Sequence, residues 1–204
     1  PFIRGRTALG AGPVGWSVCQ AVTHPDPEAA ARWAADDLSR DGDSVFLVID
    51  GSARRADERT AGLRGDGVRV TTSSDFDPLF AAVDLSKHVI HLDAGGNTPA
   101  VAAAFFAACR RNGVDPQDLR GGLGFDPLGA LAGDGALTAG LEGSFDHMTE
   151  LVAWTGANAP GLRNTAVSTI AYHLTGATAV QELAFAVATG VAYLRALTDR
   201  GIDL

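Results

Sequence analysis

Short apolar runs that are rich in β-branched residues alternate along this chain with longer segments that are rich in Ala and Leu and follow a helical period. The short runs predict strands at residues 44–50, 68–72, 88–93, 119–125 and 165–173. The longer segments predict helices at residues 27–40, 76–83, 98–112, 144–158 and 178–200. Such alternation is typical of βα units around a parallel sheet, so the sequence predicts an α/β fold.

Two glycine-containing stretches interrupt the alternation, and we expect residues 1–25 and 129–143 to form loops. The chain then divides into an N-terminal segment with the first helix, residues 1–43, and a βα domain, residues 44–204. Five βα units fit either an open doubly wound sheet or part of an eight-stranded barrel. The sequence GAGPVG at residues 10–15 follows no predicted strand, so it is a weak match to a dinucleotide-binding loop.

Composition and charge exclude several classes of protein. The 204 residues are 46% hydrophobic and 20% charged, which suffices for a globular core. The chain has 16 Lys and Arg against 24 Asp and Glu, a net charge of −8, so we expect no nucleic-acid partner. Cys19 and Cys109 form no redox or metal motif, which fits a reducing compartment, and we expect a cytoplasmic protein without a metal site. No run reaches the ~20 apolar residues of a membrane helix, and we expect no membrane association.

Tyr172 and His173 stand at the carboxyl end of the last predicted strand, where parallel α/β folds place their ligands. A histidine there can hydrogen-bond a carbonyl oxygen or exchange a proton near neutral pH. The tyrosine adds a ring with a polar tip. The alternative is a pair of strand-end residues whose polar atoms are satisfied by a neighbouring loop, and the residues alone leave both interpretations open.

Two carboxylates occupy similar places at strand ends. Asp93 ends the third predicted strand, and Asp126 directly follows the fourth. Together they could bind a cation or act as acid and base. Asp126 followed by Pro127 also matches a helix N-cap with proline at the first helical position, and capping statistics favour this second interpretation.

Three segments carry a family resemblance, and they read PFIRG at residues 1–5, GNTPAVAAAFFAACRRNGVDPQDLRGG at residues 96–122 and AYHLTGATAVQELAFAVATGVAYLRALTDRG at residues 171–201. Together they resemble the barrel domain of the cobalamin-dependent acyl-CoA mutases, the methylmalonyl-CoA mutase family. The resemblance implies a TIM-type (β/α)8 barrel, which takes ~250 residues, so we expect about five of its eight βα units here, cut from a longer subunit. An open arc should leave inner apolar residues such as Val48 and Ile90 exposed unless other segments cover them.

The family interconverts methylmalonyl-CoA and succinyl-CoA by a radical rearrangement, in which adenosylcobalamin supplies the radical chemistry and the protein binds and orients the substrate. The resemblance aligns Tyr172 and His173 with the family's Tyr-His pair, whose histidine hydrogen-bonds the substrate thioester carbonyl. It leaves Asp126 as a weaker candidate for substrate binding. It implies adenosylcobalamin as a cofactor of the complete enzyme, with no cofactor contact by this segment.

Catalytic members of the family carry substrate-contacting residues that this chain lacks. Ala21 stands where they have a tyrosine, Ala94 where they have an asparagine, and GFD at residues 124–126 where they have Gln-Asn-Asp. Residues 129–143 replace a loop whose arginine pairs with the substrate carboxylate, an interaction that selects malonyl groups. The cobalamin motif Asp-x-His-x-x-Gly does not occur in the sequence.

This pattern of losses resembles the small subunit of the heterodimeric enzymes of the family, a non-catalytic partner of a large catalytic subunit. The resemblance therefore predicts a subunit of an acyl-CoA mutase, an isomerase, that is inactive alone and supports the large subunit through a wide interface. Two alternatives stay open. In the first alternative the chain is an active mutase with altered acyl specificity. In the second it is a module that binds acyl-CoA without chemistry.

Overall fold

The computed structural model describes residues 16–56 and 67–203, which form a parallel sheet with helices. The strands of these residues are β1 Cys19–Val22, β2 Ser44–Val48, β3 Val89–Asp93, β4 Gly121–Phe125 and β5 Leu162–Thr165. They pair in parallel in the order β1-β2-β3-β4-β5. This sequential order lacks the reversal of a doubly wound sheet and is the order of a (β/α)8 barrel. The α/β fold with five strands is confirmed, and within the described residues the arc stays open.

The helices of the described residues are α1 Pro27–Ser39, α2 Gly51–Arg55, α3 Asp77–Ala82, α4 Thr98–Arg111, α5 Pro127–Asp134, α6 Gly140–Asn158, α7 Ile170–Leu174 and α8 Ala179–Asp199. Several of these helices, α1, α2, α5 and α8 among them, begin at a side-chain cap. The Asp26 side chain caps α1 by accepting a hydrogen bond from the Ala29 amide, and Pro27 takes the first helical position. Thr178 and Gln181 form a capping box at the start of α8.

The hydrophobic core lies between the sheet and the helices on one of its faces. Val45 and Leu47 of β2, with Ile90 and Leu92 of β3, are at most 2% exposed and belong to one buried cluster with Phe105 of α4. Alternate residues of a strand point to opposite faces, so the intervening positions face away from these helices. We call that second surface, which is only half-buried on β2 and β3, the inner face.

Neither of the two residues named as inner apolar positions is exposed. Val48 pairs with Asp93 on the inner face and is half-buried. Ile90 is 1% exposed, because its place in the strand alternation turns it towards the helices.

Four predicted element boundaries are corrected by the structure. The expected loop at residues 1–25 contains β1, and the expected loop at 129–143 contains most of α5 and the start of α6. The strand predicted at 68–72 is a single parallel bridge from Val68 to Ile49, because β1 already occupies the neighbouring edge of β2. The strand predicted at 165–173 is β5, which ends at Thr165, followed by the short helix α7.

The N-terminal segment contributes to the same sheet as the rest of the chain. Strand β1 pairs with β2, and α1 packs against α3 and against both of these strands. Residues 16–43 and the described residues from 44 onwards therefore share one core. Residues 1–5 and 10–15, which carried two of the sequence observations, lie outside the described residues.

Helices α7 and α8 expose a continuous series of large apolar side chains. These residues, which we call the α7–α8 apolar surface, are Ile170, Leu174, Val180, Leu183, Val187, Val191 and Leu194. By length and composition alone α8 could also cross a membrane, contrary to the expectation from the sequence, and 17% of its apolar window is buried. One such helix is weak evidence, since helices of soluble proteins meet the same criterion. An apolar surface of this kind marks a site of contact.

Candidate functional site

A cavity of about 970 Å³ lies on the inner face and at the carboxyl ends of the strands. Its walls include Phe46, His91 and Arg163 on the strands, and Arg54 on α2. Parallel α/β folds bind their ligands at this end of the sheet, and a cavity of this size accommodates a small molecule. The cavity is therefore the candidate functional site.

One row of residues crosses the inner face from strand to strand. The pairing of neighbouring strands aligns, in order, Ala21, Phe46, His91, Gly122 and Arg163. Phe46, His91, Gly122 and Arg163 of this row line the cavity. The cavity floor is thus built from an aromatic ring, an imidazole and a guanidinium, with a gap where the glycine has no side chain.

The structure places Tyr172 and His173 on α7 and not at the end of a strand. His173 Nδ1 lies 2.8 Å from Glu182 Oε1 on α8, and this hydrogen bond is the main cause that lowers the pKa of Glu182. The Tyr172 ring packs on Phe185 of α8, with ring centroids 4.5 Å apart. Neither residue lines the cavity, although their neighbours Ala171 and Leu174 do. The predicted strand-end position is wrong, because β5 ends at Thr165, eight residues earlier than the pattern indicated.

Asp126 adopts the capping role that the sequence offered as one interpretation. Its carboxylate accepts hydrogen bonds from the Gly129 amide at 2.9 Å, the Ser168 amide at 2.6 Å and the Tyr193 hydroxyl. The hydroxyl of Tyr193 in turn accepts a hydrogen bond from the Leu128 amide at 2.9 Å. Burial is the main cause that raises the pKa of Tyr193, and the Asp126 carboxylate raises it further. Through these hydrogen bonds Asp126, which follows β4, is connected both to the turn after β5 and to helix α8.

Asp93, the other strand-end carboxylate, is held by an ion pair. Arg54 Nη1 lies 2.7 Å from Asp93 Oδ2, and both side chains are about one-third exposed or less. A second ion pair joins Arg55 to Asp134 at 3.2 Å. Within the described residues no group of three His, Cys, Asp or Glu side chains is arranged to hold a metal ion. The two strand-end aspartates therefore serve separate structural contacts.

Sequence reasoning missed Arg163, the cationic residue at one side of the cavity. The predicted last strand began at Thr165, so Arg163 was placed before it. A shorter strand preceded by the Pro160-Gly161 turn would have brought Arg163 onto the sheet. His91, across Gly122 from Arg163, has its pKa lowered first by burial and then by the charge of Arg163.

Gly124 adopts a backbone conformation that excludes a side chain. Its φ is +66°, and a Cβ atom added there would lie 2.6 Å from the Leu92 carbonyl oxygen. The register of β4 and β5 shifts between Gly122 and Phe125, so the irregularity belongs to the strand itself. This is the position at which the family resemblance expects a glutamine.

The described residues do not fit a corrin cofactor. A cobalamin held through its cobalt needs an imidazole presented at an open site, and the imidazole of the described cavity wall is that of His91. His91 lies in the middle of β3, between Phe46 and Gly122 on the neighbouring strands, and is not presented from a loop at the strand ends. We therefore derive no chemical step through cobalamin for this chain.

The fold and the cavity define a βα-barrel type of protein whose ligands bind at the carboxyl ends of parallel strands. The sequence comparison names the family: a family model described as methylmalonyl-CoA mutase matches residues 1–204. The chain belongs to the methylmalonyl-CoA mutase family. The resemblance inferred from the sequence is confirmed.

Similar proteins include both kinds of subunit. The chain is 35% identical to a methylmalonyl-CoA mutase small subunit of Streptomyces virginiae over 204 residues, which is all of this chain and 30% of that protein. It is 26% identical to a small subunit of Propionibacterium freudenreichii subsp. shermanii, over 98% of this chain and 28% of that protein. A large subunit of Streptomyces virginiae is 30% identical over 68% of this chain and 19% of its own length. The chain thus spans about three-tenths of the curated relatives it matches over its whole length.

Proposed function

We propose that this chain is part of the small, non-catalytic subunit of a methylmalonyl-CoA mutase, and that it supports a large catalytic subunit. The observation that carries the proposal is the position of His173, which is bound to Glu182 and lies outside the cavity wall. A histidine that polarises a thioester carbonyl must present its N–H to the substrate within hydrogen-bond distance. Here one ring nitrogen is engaged by the Glu182 carboxylate, and the side chain is 62% exposed to solvent.

The loss of substrate-contacting side chains supports the same proposal. Gly124, Ala94 and Ala21 stand where the resemblance expects glutamine, asparagine and tyrosine. Ala94 is fully buried, and the backbone of Gly124 admits no side chain. The polar contacts that would orient an acyl-CoA for rearrangement therefore have no counterparts at these positions, whereas the structural carboxylate of Asp126 is retained.

The proposed partner is a large mutase subunit. Relatives of this chain are named as both small and large subunits, and 35% identity over the whole chain is reached with a small subunit. The α7–α8 apolar surface supports an assembly, because exposed groups of large apolar side chains are typical of surfaces that contact another protein. We propose that adenosylcobalamin belongs to the large subunit, and that the complex is cytoplasmic, in line with the free thiols Cys19 and Cys109.

The test is co-expression of the full-length polypeptide with a large mutase subunit. We expect the two to purify together in equal amounts, and we expect the full-length small subunit alone to show no turnover of methylmalonyl-CoA with added adenosylcobalamin. In the complex, His173→Ala on this chain should leave kcat and KM within about twofold of the unchanged enzyme. The same substitution in the Tyr-His pair of the large subunit is the matched control and should abolish turnover. Turnover by the isolated small subunit, or a large loss of kcat from His173→Ala, would refute the proposal.

The second candidate function is acyl-CoA binding without chemistry, and the cavity is the observation that favours it. A volume of about 970 Å³ lies in the range of ligand sites. Calorimetric titration of the full-length small subunit with coenzyme A distinguishes the two. Saturable heat that Phe46→Trp in the cavity wall abolishes would support acyl-CoA binding, whereas the absence of heat and of a thermal shift would remove this candidate.

A further inference from the structure

Two basic side chains border a notch in the inner face. The register places His91 of β3 beside Gly122 of β4, and Gly122 beside Arg163 of β5. Neighbouring strands are about 4.8 Å apart, so His91 and Arg163 lie about 10 Å from each other at Cα. A Cβ atom at Gly122 would be 3.4 Å from His91 Nδ1 and 3.9 Å from Arg163 Cβ. The missing side chain of Gly122 therefore leaves a space that both residues contact.

Most charged side chains around this notch are paired within the described part of the protein, but the side chain of Arg163 is not. Among the cavity-lining residues, Arg54 and Asp93 neutralise each other, Asp134 pairs with Arg55, and Asp126 accepts three hydrogen bonds. The side chain of Arg163 makes no hydrogen bond and no ion pair within residues 16–56 and 67–203. An unpaired guanidinium in a concave, partly apolar wall attracts an anion more strongly than one on a convex surface.

The two side chains offer complementary hydrogen-bond donors. A guanidinium presents its N–H groups as a planar fork, which matches two oxygens of a carboxylate or a phosphate. Burial and the charge of Arg163 keep the pKa of His91 below its usual value, so at neutral pH the ring is uncharged and donates one N–H. A small oxyanion in the notch would be bound by the fork on one side and by an imidazole N–H on the other.

We propose that the notch at Gly122 is an oxyanion site, in which Arg163 and His91 bind a carboxylate or a phosphate group of a small-molecule ligand. The proposal does not rest on the small-subunit function, because it concerns binding by this chain whether or not a partner is present. It differs from the substrate arginine of the family resemblance, which belongs to the loop after the fourth strand and has no counterpart here. The bound group can come from an organic acid or from a phosphate ester.

The experiment titrates the full-length protein with inorganic phosphate and, separately, with succinate, at constant ionic strength. The ring resonances of His91 report binding, since an anion beside the imidazole favours its protonated form and raises its pKa. We expect saturable binding of at least one anion with Kd below ~10 mM. Tighter binding of phosphate would assign the site to a phosphate ester, and tighter binding of succinate would assign it to a carboxylic acid.

Three variants decide whether the notch is responsible. Arg163→Gln should weaken binding at least about tenfold, because the charged fork is removed. Gly122→Ala should weaken it while keeping both donors, since the new methyl group fills the notch at ordinary contact distances. Arg195→Gln is the matched control: it removes the charge of an exposed arginine on α8 and should leave binding unchanged. Absence of saturable binding, or equal affinities of the protein and its Arg163→Gln variant, would overturn the proposal.

Discussion

The helix-covered face and the inner face of the sheet use the same strands but place different chemistry on them. On the helix-covered face, Phe105 contacts the rings of Phe76, Phe80 and Phe106, and the cluster continues to Trp154 on α6. On the inner face, Phe46 is followed along the row by His91, a glycine and Arg163. One face is closed by apolar packing and the other is open and polar. The helix-covered face therefore stabilises the fold, whereas the inner face is available for ligand contact. Substitutions on the first should lower the free energy of unfolding, and substitutions on the second should mainly change ligand binding.

The largest effect is expected from the centre of the helix-covered face. Phe105→Ala removes a fully buried ring and leaves a cavity among its aromatic neighbours, which should lower the free energy of unfolding by about 3–5 kcal/mol. Phe46→Ala removes the same atoms from the inner face, where the ring is half-buried, and should cost clearly less. Urea unfolding of both variants in the full-length protein measures the difference. Equal losses would mean that the inner face is as closely packed as the core.

The two cysteines lie on opposite faces and should differ strongly in reactivity. Cys19 of β1 is exposed, whereas Cys109 of α4 is buried, and burial raises the pKa of the Cys109 thiol to about 12. At pH 8 a thiol-specific disulfide reagent should therefore modify Cys19 quickly and Cys109 only on unfolding. Cys19→Ser should abolish the fast phase and serves as the control. Rapid modification of Cys109 in the folded protein would contradict the burial of this helix.

A smaller loss is expected where the cavity meets the core. Tyr193→Phe removes the hydroxyl that donates to Asp126 and accepts from the Leu128 amide, so a buried carboxylate and a partly buried N–H each lose a partner. The expected cost is about 1–3 kcal/mol of unfolding free energy. Tyr172→Phe is matched to it, because the Tyr172 hydroxyl makes no hydrogen bond with the described residues, and its stability should be unchanged. An unchanged free energy of unfolding in Tyr193→Phe would show that this hydrogen-bond network does not stabilise the fold.

The smallest effect is electrostatic and confined to the inner face. Arg163→Gln removes one of the two causes that lower the pKa of His91, so this pKa should rise but stay below its usual value because burial remains. Proton titration of the His91 ring by NMR measures the shift. Arg195→Gln should leave it unchanged. A His91 pKa that falls or does not move in Arg163→Gln would place the guanidinium farther from the ring than the strand register implies.

The sequence predicted the middle strands of the sheet better than the two edge strands, β1 and β5, for physical reasons. The strands β2 and β3 are β-branched apolar runs, and their pattern located them within two residues. Strand β1, with the sequence CQAV, is four residues long and mostly exposed, so it gives almost no hydrophobic signal. Strand β5 reads LRNT, and the more apolar TAVSTIA that follows it drew the prediction too far along the chain.

Some features of the candidate site follow from local sequence patterns, whereas others depend on tertiary packing. The cap at Asp126 was predictable, because an aspartate followed by proline is a local pattern whose geometry depends on few neighbours. The pairing of His173 with Glu182 depends on where α8 packs against α7, which no local pattern specifies. Arg163 required the correct strand register before its face could be assigned. Family resemblance supplied the kind of protein, but the positions of these side chains followed only from tertiary structure.

The left-handed backbone of Gly124 also determines how this strand can change by mutation. Any residue with a side chain, glutamine included, would place its Cβ 2.6 Å from the Leu92 carbonyl oxygen. The strand irregularity between Gly122 and Phe125 would therefore have to be removed before a side chain could be accommodated there. A single codon change at position 124 cannot place a functional group on this part of the cavity wall, because the backbone has to change as well.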